Sequence, residues 1–208
     1  MISNISPSLS QEEILKSQIL LTAQELYQRY GIKKVTMDDV AKAVGKTRSA
    51  LYYYFKNRDE LFEAVMISLV DEVINELQEI IYQEEDLEKR IQAFCFAKIK
   101  GSEKTRSFIT AIEARMDSEE RSKYSDIMWN IHQRMMHSET TLLKKVIRDS
   151  VITGKISETD PNTVDTLLFV LLSSIRGIRR ESVIETYSNQ WEKGAVMLTE
   201  MVLEKIKS

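Results

Sequence analysis

A chain of 208 residues with 43% apolar and 29% charged side chains has the balance of a soluble globular protein of one or two domains. Only two prolines and six glycines interrupt it and strict alternation is scarce, which excludes a sheet-built fold and predicts an all-α one. The single cysteine, Cys95, excludes an internal disulfide, no stretch has the make-up of a secretory leader, and the longest apolar run, 163–175, is too short for a bilayer and holds Asp165. A cytoplasmic protein without a membrane partner is expected.

Residues 1–9, rich in Ser and Asn with Pro7, read as a frayed terminus. Ser10 with Glu13 makes a capping box, and Ile19, Ala23, Leu26, Tyr27 and Tyr30 form one face of a helix ending at Gly31. Thr36 with Asp39 opens a second, short helix with Val40, Ala41 and Val44 inward. Gly45 ends it, because the left-handed conformation just past a helix end carries no Cβ penalty for glycine. Thr47 caps a third helix whose buried edge is Leu51 and Phe55. Two short capped helices joined by a tight turn describe a helix-turn-helix, with the first helix as its support.

The free edge of the third helix carries Arg48, Ser49, Tyr52 and Tyr53, with Lys46 just before and Lys56 and Arg58 just after, as a helix laid in a DNA major groove requires. Successive helical side chains stand about 100° apart, so Tyr52, Tyr53 and Tyr54 cannot all be core. Short capped helices occur in any helical protein, so the cationic and aromatic edge, not the caps, carries the DNA reading. Charge agrees with it. Residues 1–58 hold nine Lys/Arg against five Asp/Glu and residues 59–208 hold twenty against twenty-seven, so a head of +4 precedes a body of −7. Phosphate neutralisation supplies much of the affinity for DNA, which makes that segregation functional.

Asn57 with Glu60 forms a further capping box, opening a long helix through Leu61, Phe62, Val65, Leu69, Val73, Leu77 and Ile80 or Ile81. The acidic run 84–86 reads as a solvated helix start, followed by helices from Asp86 to Lys100 and Ser102 to Arg115, divided by Gly101. From Ser118 a long pattern runs through Tyr124, Ile131 and Val146 to near Gly154. Asp160-Pro161 opens a helix to Arg180, and a last helix runs from Tyr187 to Lys205. These last two are too apolar for one small domain. They predict a homodimer joined as a four-helix bundle through Leu168, Leu171, Leu172, Ile175, Trp191, Leu198 and Val202. The domains are expected at 1–58, for DNA binding, and 59–208.

Residues 14–66 resemble the TetR family of bacterial transcriptional repressors. Tyr27-x-x-x-Gly31 ends the first helix as in that family, Thr36 caps the second, and Gly45, Thr47, Leu51, Tyr52, Tyr54, Phe55 and Arg58 fall on its pattern before an acidic helix start at Asp59 and Glu60. Two departures, Lys46 where a small apolar residue is usual and Ser49 where glycine is frequent, bear on operator sequence and not on fold. From the residues and the resemblance together, the DNA-contacting set is Thr36, Lys46, Thr47, Arg48, Ser49, Tyr52, Tyr53, Tyr54, Lys56 and Arg58.

The middle helices hold Phe94, Phe96, Phe108, Ile112, Met116, Met128, Trp129, Met135 and Met136, with Arg115 and His132 as scattered polar groups. By composition alone this stripe reads as plain core. The resemblance implies a small-molecule pocket there, with a subset including Phe94, Phe96, Phe108, Ile112, Arg115, Met128, Trp129, His132 and Met135 facing an apolar effector. Cys95 reads as a buried small hydrophobe, and Arg176, Arg179 and Arg180 as a solvated helix end or partners for anionic groups. His132 and His137 are five residues apart, off the helical spacing of a metal pair, and no phosphate-binding loop, dinucleotide motif or nucleophile elbow occurs, so no metal, cofactor or enzymatic activity is expected. The sequence therefore predicts a ligand-responsive repressor that binds an inverted-repeat operator in double-stranded DNA as a homodimer. The alternative is a helical protein-interaction module without DNA binding.

Overall fold

A computed structural model describes residues 10–182, 184 and 189–207, so the expectations for residues 1–9 and for a helix start at Tyr187 lie outside the described residues. Within them the chain forms α1 (Gln11–Tyr30), α2 (Met37–Ala43), α3 (Arg48–Tyr54), α4 (Arg58–Tyr82), α5 (Leu87–Lys100), α6 (Glu103–Glu113), α7 (Ser118–Ile152), α8 (Pro161–Glu181) and α9 (Trp191–Lys207). No described residue lies in a strand.

The helix starts follow local chemistry. Ser10 Oγ accepts the Glu13 amide while the Glu13 carboxylate accepts the Ser10 amide, and Thr36 with Asp39 repeats the exchange. Asp86 and Asp160 each accept the amide three residues on, with Pro161 in the first turn of α8. At α4 only half of the expected box forms. Asn57 Oδ1 accepts the Glu60 amide at 2.8 Å, but the Glu60 carboxylate turns to the Lys56 amide at 2.7 Å. At α7 the cap is Asp117 with Glu120, one residue ahead of the expected start. Gly101 closes α5 with φ +67°, and the Arg179 guanidinium lies over it, so that an added Cβ would come within 2.8 Å of Nη2.

The chain divides into two compact units, Met1–Leu69 with Lys104–Ile131, and Val70–Glu103 with His132–Ser208. The first unit therefore holds the three head helices together with the start of α4, most of α6 and the first part of α7, reaching past the expected boundary at residue 58. The long helices α4 and α7 each serve both units.

In the second unit, Phe94 and Cys95 are fully buried, Phe96 stands edge-on to Trp191 at 5.6 Å, and Lys98 pairs with the buried Glu139. Leu168, Leu171, Leu172, Ile175 and Val202 are all buried in this same core, with Leu198 and Trp191 packed against it. The first five are consumed within one protomer, whereas Leu198 and Trp191 stay partly exposed. On α8 and α9 the apolar side chains left outside are Phe169 (64% exposed), Val170, Met197 (63%) and Met201 (60%). The reason is the unbroken apolar run 167–172, which surrounds its helix and hides which stripe faces inward. Among the described residues no helix is long and apolar enough to cross a membrane. Leu168→Ala should lower stability by about 2–5 kcal/mol in denaturant unfolding, the cost of an uncollapsed cavity.

Candidate nucleic-acid interface

The helix-turn-helix is fixed by its turn. After α2 the Lys46 amide bonds to the Ala41 carbonyl at 2.9 Å and the Gly45 amide to the Lys42 carbonyl at 3.1 Å, with Gly45 at φ +66°. This pair of bonds is the Schellman closure, and it demands the left-handed residue that the sequence supplies. Thr47 Oγ1 then accepts the Ala50 amide at 3.2 Å and starts α3. Leu51 and Phe55 are buried, which leaves Lys46, Arg48, Ser49, Tyr52 and Tyr53 exposed on the other edge. Tyr53 is 75% exposed and stands edge-on to the half-buried Tyr54 at 5.1 Å.

Arg48 is braced and still accessible. Its guanidinium donates to Tyr52 Oη at 3.2 Å, lies 5.3 Å from the Tyr52 ring centre and faces Asp38 at 3.5 Å. Lys46 and Lys56 are exposed. Thr36 and Thr47 are exposed, but their hydroxyls serve the helix caps. Arg58 differs from the rest of the expected set. Its Nη1 donates to the Lys33 carbonyl at 3.2 Å and its Nη2 to Tyr124 Oη at 3.3 Å, so it is occupied inside the first unit.

Around Arg58 lies a cluster that reasoning from sequence missed, because its members stand about a third of the chain apart. Tyr124 Oη donates to Asp59 at 3.0 Å, Lys123 reaches the same carboxylate at 2.9 Å, and Lys33 pairs with Asp117 at 2.8 Å. Beneath them Phe62 stands edge-on to Tyr124 at 5.0 Å and to Tyr27 at 5.8 Å, all three rings being buried. Burial works to raise the pKa of Asp59, but the bonds from Lys123 and Tyr124 outweigh it and hold the carboxyl below its ordinary range. Asp117 is held low by Lys33 and by the Glu120 amide.

Beside the cluster, wholly within the first unit, is a cavity of about 260 Å³ lined mainly by Phe62, Met66, Ile109, Ile112, Met116, Tyr124 and Met128, with Glu113, Arg121 and Ser125 as its polar walls. Arg121 donates to the carbonyls of Met116 and Glu113. Of the apolar stripe singled out in the sequence, Ile112, Met116 and Met128 line this cavity. Phe108 is buried, Arg115 lies exposed with its stem against Gly31, and Trp129 is 61% exposed. Phe94, Phe96, His132 and Met135 belong to the second unit, where His132 is exposed. Periodicity does not tell a cavity wall from a filled core, which is why Phe62, Met66 and Tyr124 carried no signal of their own.

Comparison with known proteins bears on both parts. Residues 19–65 match the family profile described as bacterial regulatory proteins, tetR family. The uncharacterized HTH-type transcriptional regulator YhgD of Bacillus subtilis is 26% identical over 146 residues, 70% of this chain and 74% of that protein. Other curated relatives align over only 25–43% of their own length. Among solved structures, a transcriptional regulator from Cytophaga hutchinsonii superposes with a TM-score of 0.60 at 20% identity, covering 92% of this chain and 98% of that one. The SmeT-triclosan complex does so with 0.57 at 17%, covering 92% and 90%. At these identities the structures establish a shared fold.

A carboxylate whose folded pKa is lowered adds stability in full above its unfolded value, and that contribution is lost as pH falls through the folded one. Melting temperatures taken from pH 7 down to 3 should therefore drop below about pH 4. The gap between the unaltered protein and Asp59→Asn should close over the same window.

Proposed function

We propose that this chain, whose residues 19–65 match the tetR family of bacterial regulatory proteins, is a ligand-responsive transcriptional regulator of that family, a repressor that leaves its operator when a small molecule binds. The observation that carries the DNA reading is the braced edge of α3. Arg48 is exposed and braced by Asp38 and Tyr52 on a helix whose other edge is buried, and an arginine so presented reads base edges, commonly of guanine. Lys46 and Lys56 flank it as phosphate contacts.

The protein acts as a homodimer on an inverted repeat. Phe169 and Val170 of α8 and Met197 and Met201 of α9 supply the apolar surface for a second copy, in place of the inward residues on the same helices. The effector is a small, largely apolar molecule in the cavity beside Phe62, Met66 and Ile112. A fold neighbour solved as a complex with triclosan, itself a small aromatic, supports this class. Two cavity residues, Phe62 and Met66, belong to α4, whose first residue follows the head directly. A ligand that prefers one setting of α4 thus biases the head, by no more than its differential affinity for the two settings.

Arg48→Ala should relax base preference at one position of a duplex selected in vitro, at a cost of about 1–3 kcal/mol. Lys56→Ala should weaken all sequences alike and reduce the slope of log affinity against log salt by about one. Unchanged affinity and preference in Arg48→Ala would refute the placement of α3 in the groove. Phe169→Glu combined with Met201→Glu should sediment as a folded monomer that no longer holds the inverted repeat.

A further inference from the structure

The Tyr124 side chain faces two ways. Its ring is part of the cavity wall, edge-on to Phe62. Its hydroxyl has both its donor and an acceptor site in use, giving to Asp59 at 3.0 Å and taking from Arg58 at 3.3 Å. Arg58 in turn holds the Lys33 carbonyl at 3.2 Å, in the turn between α1 and α2, three residues ahead of the Thr36 cap. One side chain and one guanidinium therefore span the distance from the cavity to the entrance of the helix-turn-helix.

Resting on the reading above that the cavity takes an effector, we propose that Tyr124 is the positioning residue that reports cavity occupancy to the head, its hydroxyl releasing Arg58 when the ring is displaced. Both bonds are at or past the long end of the ordinary range, so a ring shift of about 1 Å removes them. Arg58 then keeps only the Lys33 carbonyl, and Asp59 keeps Lys123. The cluster has a place for the displaced contact. Tyr27 Oη is buried with no hydrogen-bond partner, and Tyr27 stands edge-on to the same Phe62. An unmet hydroxyl at this point favours a second arrangement of the cluster, as a switch requires.

The test uses a tethered occupant, so it needs no natural effector. Ser125, exposed and on the cavity wall, is changed to cysteine and joined through a disulfide to a benzyl group with benzyl methanethiosulfonate. Cys95 stays unmodified, because it is buried and its thiol pKa is pushed up to about 11 by burial. Affinity is measured for a duplex selected from random sequence by the unaltered protein, before and after labelling and again after release with reductant. In Ser125→Cys, labelling should weaken binding about tenfold. With Tyr124→Phe added, which keeps the ring and loses the hydroxyl, the unlabelled protein should already bind about as weakly. Labelling should then add less than about threefold, the non-additivity expected of two changes acting on one contact. An equal loss on labelling in both backgrounds overturns the relay while leaving the cavity as the effector site. No loss on labelling in either overturns the cavity reading, and the relay with it.

Discussion

The first turns of α4 are the point on which the first unit depends. Asn57 caps the helix, Arg58 fastens the turn that follows α1, Asp59 takes Lys123 and Tyr124 from α7, and Phe62 receives the rings of Tyr27 and Tyr124. Four consecutive functions in six residues leave little freedom in how that end of the helix sits. The exposed ion pairs around it contribute little each, since solvent screens them. The buried aromatic triad supplies the packing, and the polar bonds above it fix the angle of approach.

Much of this was legible in the sequence wherever the chemistry is local. Caps are i to i+3 events, so Ser10, Thr36, Thr47 and Asp160 announced their helices, and Gly45 announced the turn by the left-handed conformation that it adopts without a Cβ penalty. The contacts of Arg58 were not legible, because a basic residue after a short helix looks the same whether it meets phosphate or a tyrosine 66 residues away. The outward side of α8 was hidden for a different reason. Six successive apolar residues contain no gap from which a buried stripe can be read, and the fold uses Leu168, Leu171 and Leu172 inside while leaving Phe169 and Val170 outside. The cavity is a third case. Whether Met128 fills a core or borders a void is decided by side chains on other helices, which no spacing within α7 records.

The exposed edge of α3 follows a different economy from the cluster around Arg58. Tyr52 turns toward Arg48 and lies against it, so the guanidinium is held without being buried. Tyr53 and Tyr54 lean on one another, and only Tyr53 reaches far into solvent. The three adjacent tyrosines thus divide into a brace, a projecting ring and a half-buried support, as three positions about 100° apart on a helix must.

The two units alternate along the chain, the first taking residues up to 69 and then 104–131, and the second taking what lies between and after. During synthesis the head helices emerge long before the residues that complete their packing, for Tyr124 follows Tyr27 by 97 positions. The same interleaving governs recombination. A chimaera joined at residue 58 would carry the first three helices but leave Phe62 and Tyr124 to be supplied by a foreign body, with Tyr27 set against surfaces that never evolved to meet it. A transplantable head is therefore a discontinuous module, and grafting it whole means moving the start of α4, together with α6 and the first turns of α7, as one piece.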